Sequence, residues 1–271
     1  MKSTYSTFIG EVIGTFILVF IGTASVAVSI LFNAFAGLFQ IAFIWGIGVT
    51  LAIYVSRHLS CAHFNPAVSL AMVAAKRMNL KHLPLYWAGQ FIGAIIAALF
   101  VFLLFNESIA NFETLNNITR GSDASIKTAM MFGEYFPNPG VPNNHLTATA
   151  AMFAEGFGTF LLVIVIFFLT EGCNIGKPSN NIVPIFIGAT ITVLICLIAP
   201  MTQAGFNPAR DFGPRVIAYF AGWNNIAFGL SAIKTSLVYI WSPLIGGLLG
   251  GLFFRFIIEK IMGKLEKSNC Q

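Results

Sequence analysis

The sequence predicts an all-α membrane protein of six transmembrane helices and two re-entrant half-helices, arranged as an inverted repeat. Three observations carry that expectation. Charged residues make up 9% of the 271-residue chain and hydrophobic residues 57%, whereas a soluble domain has roughly 25% charged residues. Six apolar runs approach the ~20 residues that cross a bilayer as a helix. Finally, one tripeptide occurs twice, as Asn65-Pro66-Ala67 and Asn207-Pro208-Ala209. Each copy follows a Glu-x-x-Gly-Thr-Phe-x-Leu-Val stretch that begins at Glu11 or Glu155, by 54 and 52 residues respectively.

Residues 8–31 form the first run, too long for a signal-peptide core and without a cleavage-site pattern, so it is expected to stay as a membrane anchor. Residues 38–55 form the second. Residues 65–75 make only about half a span and open with the tripeptide, which fits a re-entrant half-helix better than a crossing. The third run covers residues 85–105. A polar stretch rich in Asn, Thr and Pro follows at 106–147, read as one long outer loop. Runs at 148–169 and 182–198, a second half-helix at 207–220, and a last run at 237–258 complete the series. The chain 1–271 is thus a single membrane domain built from repeats 7–105 and 148–258. Each repeat has three spans, an odd number, so the second copy enters the membrane from the opposite face. The half-helices then dip in from opposite sides and meet near the midplane.

The net charge of +5 is no nucleic-acid footprint. In a six-span arrangement Lys2, Arg57, Lys76, Arg77, Lys81, Lys177, Arg255, Lys260, Lys264 and Lys267 fall on one side. Arg120, Lys127, Arg210, Arg215 and Lys234 fall on the other. That split places both termini in the cytoplasm of a cell-membrane protein by the positive-inside rule. Cys61, Cys173, Cys196 and Cys270 lack metal-ligand spacing and read as small fillers or a free tail thiol. No metal or cofactor is expected. Nor is an enzyme, because no nucleophile–base set stands out.

The tripeptide has its own chemistry. Asn is among the best helix N-caps, and Pro suits the first helical position because its missing N–H had no partner there anyway. A helix that starts inside a membrane leaves the preceding backbone non-helical, which is tolerated where protein or a water-filled path satisfies it. Carbonyls of residues 60–64 and 202–206, with His63, Phe64, Gln203 and Gly205 among them, are the expected acceptors along such a path. The side-chain amides of Asn65 and Asn207 would supply donors at its centre. Two facing helix N-termini each bring about half a positive charge, which repels cations and spares neutral solutes.

Arg210 follows the second tripeptide directly, and an arginine in a membrane segment is functional by default. It either presents its guanidinium to passing solutes or pairs structurally with Asp211. Glu11 and Glu155 sit at matched places in the first span of each repeat. They are expected to accept N–H bonds from the loops ahead of the half-helices, the other option being a proton relay. Gly46, Gly48, Gly89, Gly93, Gly158, Gly246, Gly247, Gly250 and Gly251 read as positions where spans pack closely.

Over nearly its full length the chain resembles the aquaporin family, and most nearly the glycerol-facilitator branch. Residues 62–68 (Ala-His-Phe-Asn-Pro-Ala-Val) and 205–215 (Gly-Phe-Asn-Pro-Ala-Arg-Asp-Phe-Gly-Pro-Arg) carry the likeness. Phe112-Glu113-Thr114, Arg120-Gly121-Ser122, Pro137-Asn138-Pro139 and Ala221-Gly222-Trp223 resemble that branch too, as do Asp211 and Arg215. The resemblance implies a four-residue selectivity filter at Trp45, Ile195, Ala204 and Arg210. Glycerol channels usually carry an aromatic at the Ala204 place and Gly at the Ile195 place, so bulk has moved from one wall to another. It also implies a homotetramer in the lipid bilayer that passively conducts glycerol, other small uncharged solutes and some water. Alternatives are a water, urea or neutral-metalloid channel of the same family, or, from another class, a secondary transporter.

Overall fold

The computed structural model describes residues 3–142, 144–171, 174 and 176–263. Lys2, Cys173, Lys264, Lys267 and Cys270 lie outside them. Among the described residues every regular element is helical.

Six helices are long and apolar enough to span a bilayer: α1 (Thr4–Phe32), α2 (Leu38–Ser56), α4 (Leu83–Leu115), α5 (Ala148–Thr170), α6 (Val183–Thr202) and α8 (Ala232–Gly263). Two short helices, α3 (Pro66–Ala74) and α7 (Pro208–Ala218), begin at the tripeptides. The protein is therefore a multi-pass membrane protein. Large side chains such as Phe43, Leu51, Leu103, Val193, Leu197 and Leu249 point outward. In water an apolar belt of that kind would drive aggregation, whereas lipid tails cover it without cost.

The packing is reciprocal. Helix α1 lies against α4 and α2, while α5 lies against α8 and α6. Across the two halves α2 packs on α6, α3 on α8 and α7 on α4, so each half-helix is held by the last span of the other half. Small residues make the close approaches possible. A Cβ on Gly246 would stand 2.0 Å from the carbonyl oxygen of Gly156, and one on Gly93 2.4 Å from that of Val12.

The main departure from the sequence reading is at the start of the outer loop. Helix α4 runs on to Leu115, ten residues past the apolar run, because one stripe of its last turns is buried and bonded. Ile109 is fully buried, and Glu113 pairs with Arg120 at 2.9 Å and accepts a hydrogen bond from the Thr128 hydroxyl at 2.7 Å. The loop beyond has helical turns of its own at Asp123–Ser125 and Ile126–Ala129. Helix α8 likewise starts ahead of its apolar run, with Ser231 as N-cap.

Candidate functional site

The two tripeptides fold as caps and as a lock on each other. Asn65 Oδ1 accepts the Ala67 N–H at 2.8 Å, and Asn207 Oδ1 accepts those of Ala209 and Arg210 at 3.1 and 3.2 Å. Their amide nitrogens cross over: Asn65 Nδ2 donates to Phe206 O at 2.9 Å, and Asn207 Nδ2 to Phe64 O at 2.8 Å. An amide NH₂ has two hydrogens, so each Asn retains one donor. Both residues line a cavity of about 370 Å³.

The loops that precede the half-helices are strained and braced. Ala62, Phe64, Gln203, Ala204 and Phe206 all take positive φ, from 51° to 67°, at a cost of roughly 1–2 kcal/mol each for a residue with a Cβ. Two buried carboxylates hold them there. Glu11 accepts the His63 and Phe64 N–H groups at 3.1 and 2.8 Å, and also the Gln90 amide at 2.8 Å. Glu155 accepts Gly205 and Phe206 N–H at 3.0 and 2.8 Å, and the Thr202 hydroxyl at 2.5 Å. Three residues after each Glu stands a glycine, and the reason is steric. A Cβ on Gly14 would lie 2.0 Å from the Phe64 ring, and one on Gly158 would lie 2.3 Å from the Phe206 ring. The Glu-x-x-Gly motif is thus one device, with an acceptor for the loop's N–H groups and a notch for its aromatic ring.

The cavity has two kinds of lining. Leu18, Val49, Val68, Leu162, Ile187 and Ile191 contribute hydrocarbon, while Ala62, His63, Phe64, Asn65, Gly205, Phe206 and Asn207 bring the bent loops to it. Trp45, Ile195, Ala204 and Arg210 all line it as well, and its other reach includes Arg57, Thr170 and Asn180. The Arg210 guanidinium lies 4.1 Å from the Trp45 ring centroid, a cation–π distance. The ring itself fits over Gly22, where a Cβ would come within 2.2 Å of it.

Several sequence expectations need correcting. Gln203, Ser60 and Thr202 are not among the lining residues, and each is tied to the scaffold by another bond. Gln203 Oε1 accepts the Tyr135 N–H at 2.8 Å, Thr202 O accepts the Tyr239 hydroxyl at 2.9 Å, and Ser60 Oγ accepts the Ala62 N–H at 2.9 Å. Asp211 does not pair with Arg210. It binds Arg215 at 2.8 and 2.9 Å and accepts the Glu134 N–H at 2.8 Å. The ion-pair partner of Arg210 is Glu134, from the segment between α4 and α5, a residue that sequence reasoning missed. Its only signal was its setting, a lone acid flanked by Phe132 and Phe136. Cys61 is exposed to the cavity, whereas Cys196 does not line it.

The motifs singled out between α4 and α8 converge in space. Arg120 pairs with Glu113, stacks 4.3 Å from the Trp223 ring centroid and donates to Ala221 O at 3.2 Å. Asn138 donates to Ala199 O at 2.6 Å and to Met201 O at 3.0 Å, which seats its loop on the end of α6.

The profile of the Major intrinsic protein family matches residues 1–254. A glycerol uptake facilitator protein from Pseudomonas aeruginosa is 39% identical, over 95% of this chain and 90% of its own. One from Haemophilus influenzae is 35% identical over 99% and 98%. The solved structure of an aquaglyceroporin from Plasmodium falciparum superposes with a TM-score of 0.82 at 25% identity, covering 96% of this chain and 99% of that one.

Proposed function

The chain belongs to the major intrinsic protein family, and from that premise we propose that it is a passive transmembrane channel for glycerol and other small uncharged solutes, with some water. The observation that carries this reading is the mixed lining of the cavity. The bent loops and two spare amide donors line it together with hydrocarbon side chains, and so does a guanidinium stacked on an indole. A polyol has hydroxyls along one edge and C–H groups along the other, so it can exchange its water for the polar lining while its carbons rest on the hydrocarbon. Each contact is modest, which lets the solute enter and also leave. The names of the relatives, glycerol uptake facilitators, support the same solute class.

In this reading Trp45, Ile195, Ala204 and Arg210 set the aperture, and the N-terminal ends of α3 and α7 repel cations at the tripeptides. Glu11 and Glu155 each spend their oxygens on loop donors, which supports a bracing role over proton coupling. Repeats 7–105 and 148–258 form one channel unit, four units assemble as a homotetramer in the cell membrane, and both termini face the cytoplasm.

Stopped-flow measurements on proteoliposomes test the reading. Re-swelling in glycerol should be fast relative to empty vesicles and indifferent to a proton gradient. Water flow without glycerol entry would mean that Ile195 closes the aperture to polyols. Glycerol entry that needs a proton gradient would point to a secondary transporter instead.

A further inference from the structure

We propose that Glu134 is a specificity-determining positioning residue: by neutralising Arg210 at the mouth of the cavity, it keeps the channel closed to anions. The inference rests on the channel reading above and deepens it.

The positive charge of this cavity poses a problem of its own. Two half-helix N-termini contribute about half a charge each, and Arg210 adds a whole one, buried to 5% exposure. Such a lumen repels cations. An uncompensated guanidinium in a low-dielectric constriction would also collect chloride or phosphate, and a bound anion would either permeate or plug the path. Glu134 removes that attraction. Its carboxylate is itself buried to 4% and faces Arg210 Nη1, while the Trp45 ring lies on the guanidinium face. Cations are then left to the half-helix ends, and the remaining guanidinium N–H groups stay free to donate to neutral hydroxyls.

The surroundings fix Glu134 in that role. Asp211 accepts its N–H and Arg215 donates to its carbonyl, so one closed Asp–Arg pair clamps both sides of the same residue. The next residue is tied twice, Tyr135 N to Gln203 at 2.8 Å and Tyr135 Oη to Ile226 O at 2.7 Å. Gly133 is required for the approach, since a Cβ there would stand 2.6 Å from Arg215 Cγ. A carboxylate wanted merely for solubility would not be buried, clamped and aimed at the one arginine of the aperture.

Burial raises the Glu134 carboxyl above the usual carboxylate range, and the Arg210 guanidinium opposes that rise. The other charged groups acting on it are Asp211 and Arg215 from α7 and Glu155 from α5. Acidification therefore protonates Glu134 and removes the same charge as a Gln substitution.

The test uses the full chain in proteoliposomes, with glycerol re-swelling and chloride entry (read by an entrapped chloride-quenched dye) measured side by side. At pH 9, where Glu134 with a carboxyl pushed up to about 8 is ionised, wild-type vesicles should admit glycerol and take up chloride no faster than empty ones. Glu134→Gln, which keeps the size and hydrogen-bonding reach, should admit glycerol at a comparable rate and raise chloride entry about tenfold or more. Glycerol flux in Glu134→Gln with chloride entry at background would overturn the proposal and leave the channel reading intact. Absence of glycerol flux in the wild type would instead defeat the channel reading. Should the variant fold poorly, the wild type decides the matter. Chloride entry that climbs from pH 9 to pH 5 supports the proposal, and a flat profile overturns it.

Discussion

Replacing Glu155 by Gln tests whether the buried carboxylates hold the bent loops in place. Glu155 Oε1 accepts Thr202 Oγ1 and the Gly205 N–H, and Oε2 accepts the Phe206 N–H. All three partners can donate, and a carboxylate only accepts. A glutamine offers one acceptor oxygen and one donor NH₂. Its best placement keeps the oxygen on Thr202 and Gly205 and turns the NH₂ toward the Phe206 N–H, donor against donor. A hydrogen bond to a charged group contributes about 1.5–3 kcal/mol, and a buried donor left unpaired costs about 1–3 kcal/mol. The sum is roughly 2.5–6 kcal/mol for an isosteric change. That is enough to release Gln203, Ala204 and Phe206 from their positive-φ conformations. The Phe206 carbonyl, which receives Asn65 Nδ2, would move with them. Thermal unfolding in detergent should show the lost stability. Glycerol re-swelling should fall about tenfold or more, since about 1.4 kcal/mol on solute occupancy is already a factor of ten. The fall should be the same with and without a proton gradient. A variant with wild-type melting and wild-type flux would refute the bracing argument. Loss of flux only under a proton gradient would reassign Glu155 to coupling.

Ala204→Phe should fill the cavity beside Ile195 and cut glycerol flux about tenfold, with a smaller effect on water; an unchanged glycerol rate would mean that Ala204 does not border the aperture. Mercury is expected to act at Cys61, which is free, exposed and lines the cavity. Mercuric chloride should slow glycerol flux in the wild type and spare Cys61→Ser, and equal block of both would exclude Cys61. Gly246→Ala should lower the melting temperature, because its Cβ would sit 2.0 Å from Gly156 O and overpacking of this kind costs about 1–3 kcal/mol. Wild-type melting would show that α8 can shift away from α5 without loss.

Legibility in the sequence followed the range of the interaction. Each Asn-Pro-Ala starts a helix through contacts within its own first turn, Asn65 Oδ1 to Ala67 N–H for example, so three adjacent letters sufficed to place it. The spans were legible because the bilayer imposes length and apolarity on each of them separately. The end of α4 was not legible. Residues 106–115 have polar composition, and what keeps them helical is Glu113 reaching Arg120 and Thr128. The Glu-x-x-Gly repeat showed that something is matched between the halves, but not that the glycine receives a phenylalanine ring from a loop far along the chain.

By itself the sequence determined the membrane class, the two half-helices, the family, and Arg210 as the charge to explain, because each depends on local composition or on a motif read in place. Only the tertiary structure decided which acid meets that charge. Asp211 is adjacent in sequence, but it is taken by Arg215 one helical turn on. That leaves Arg210 to Glu134, which the segment between α4 and α5 brings to the guanidinium. Ion pairing depends on separation in space, and the order of residues along a chain does not fix it.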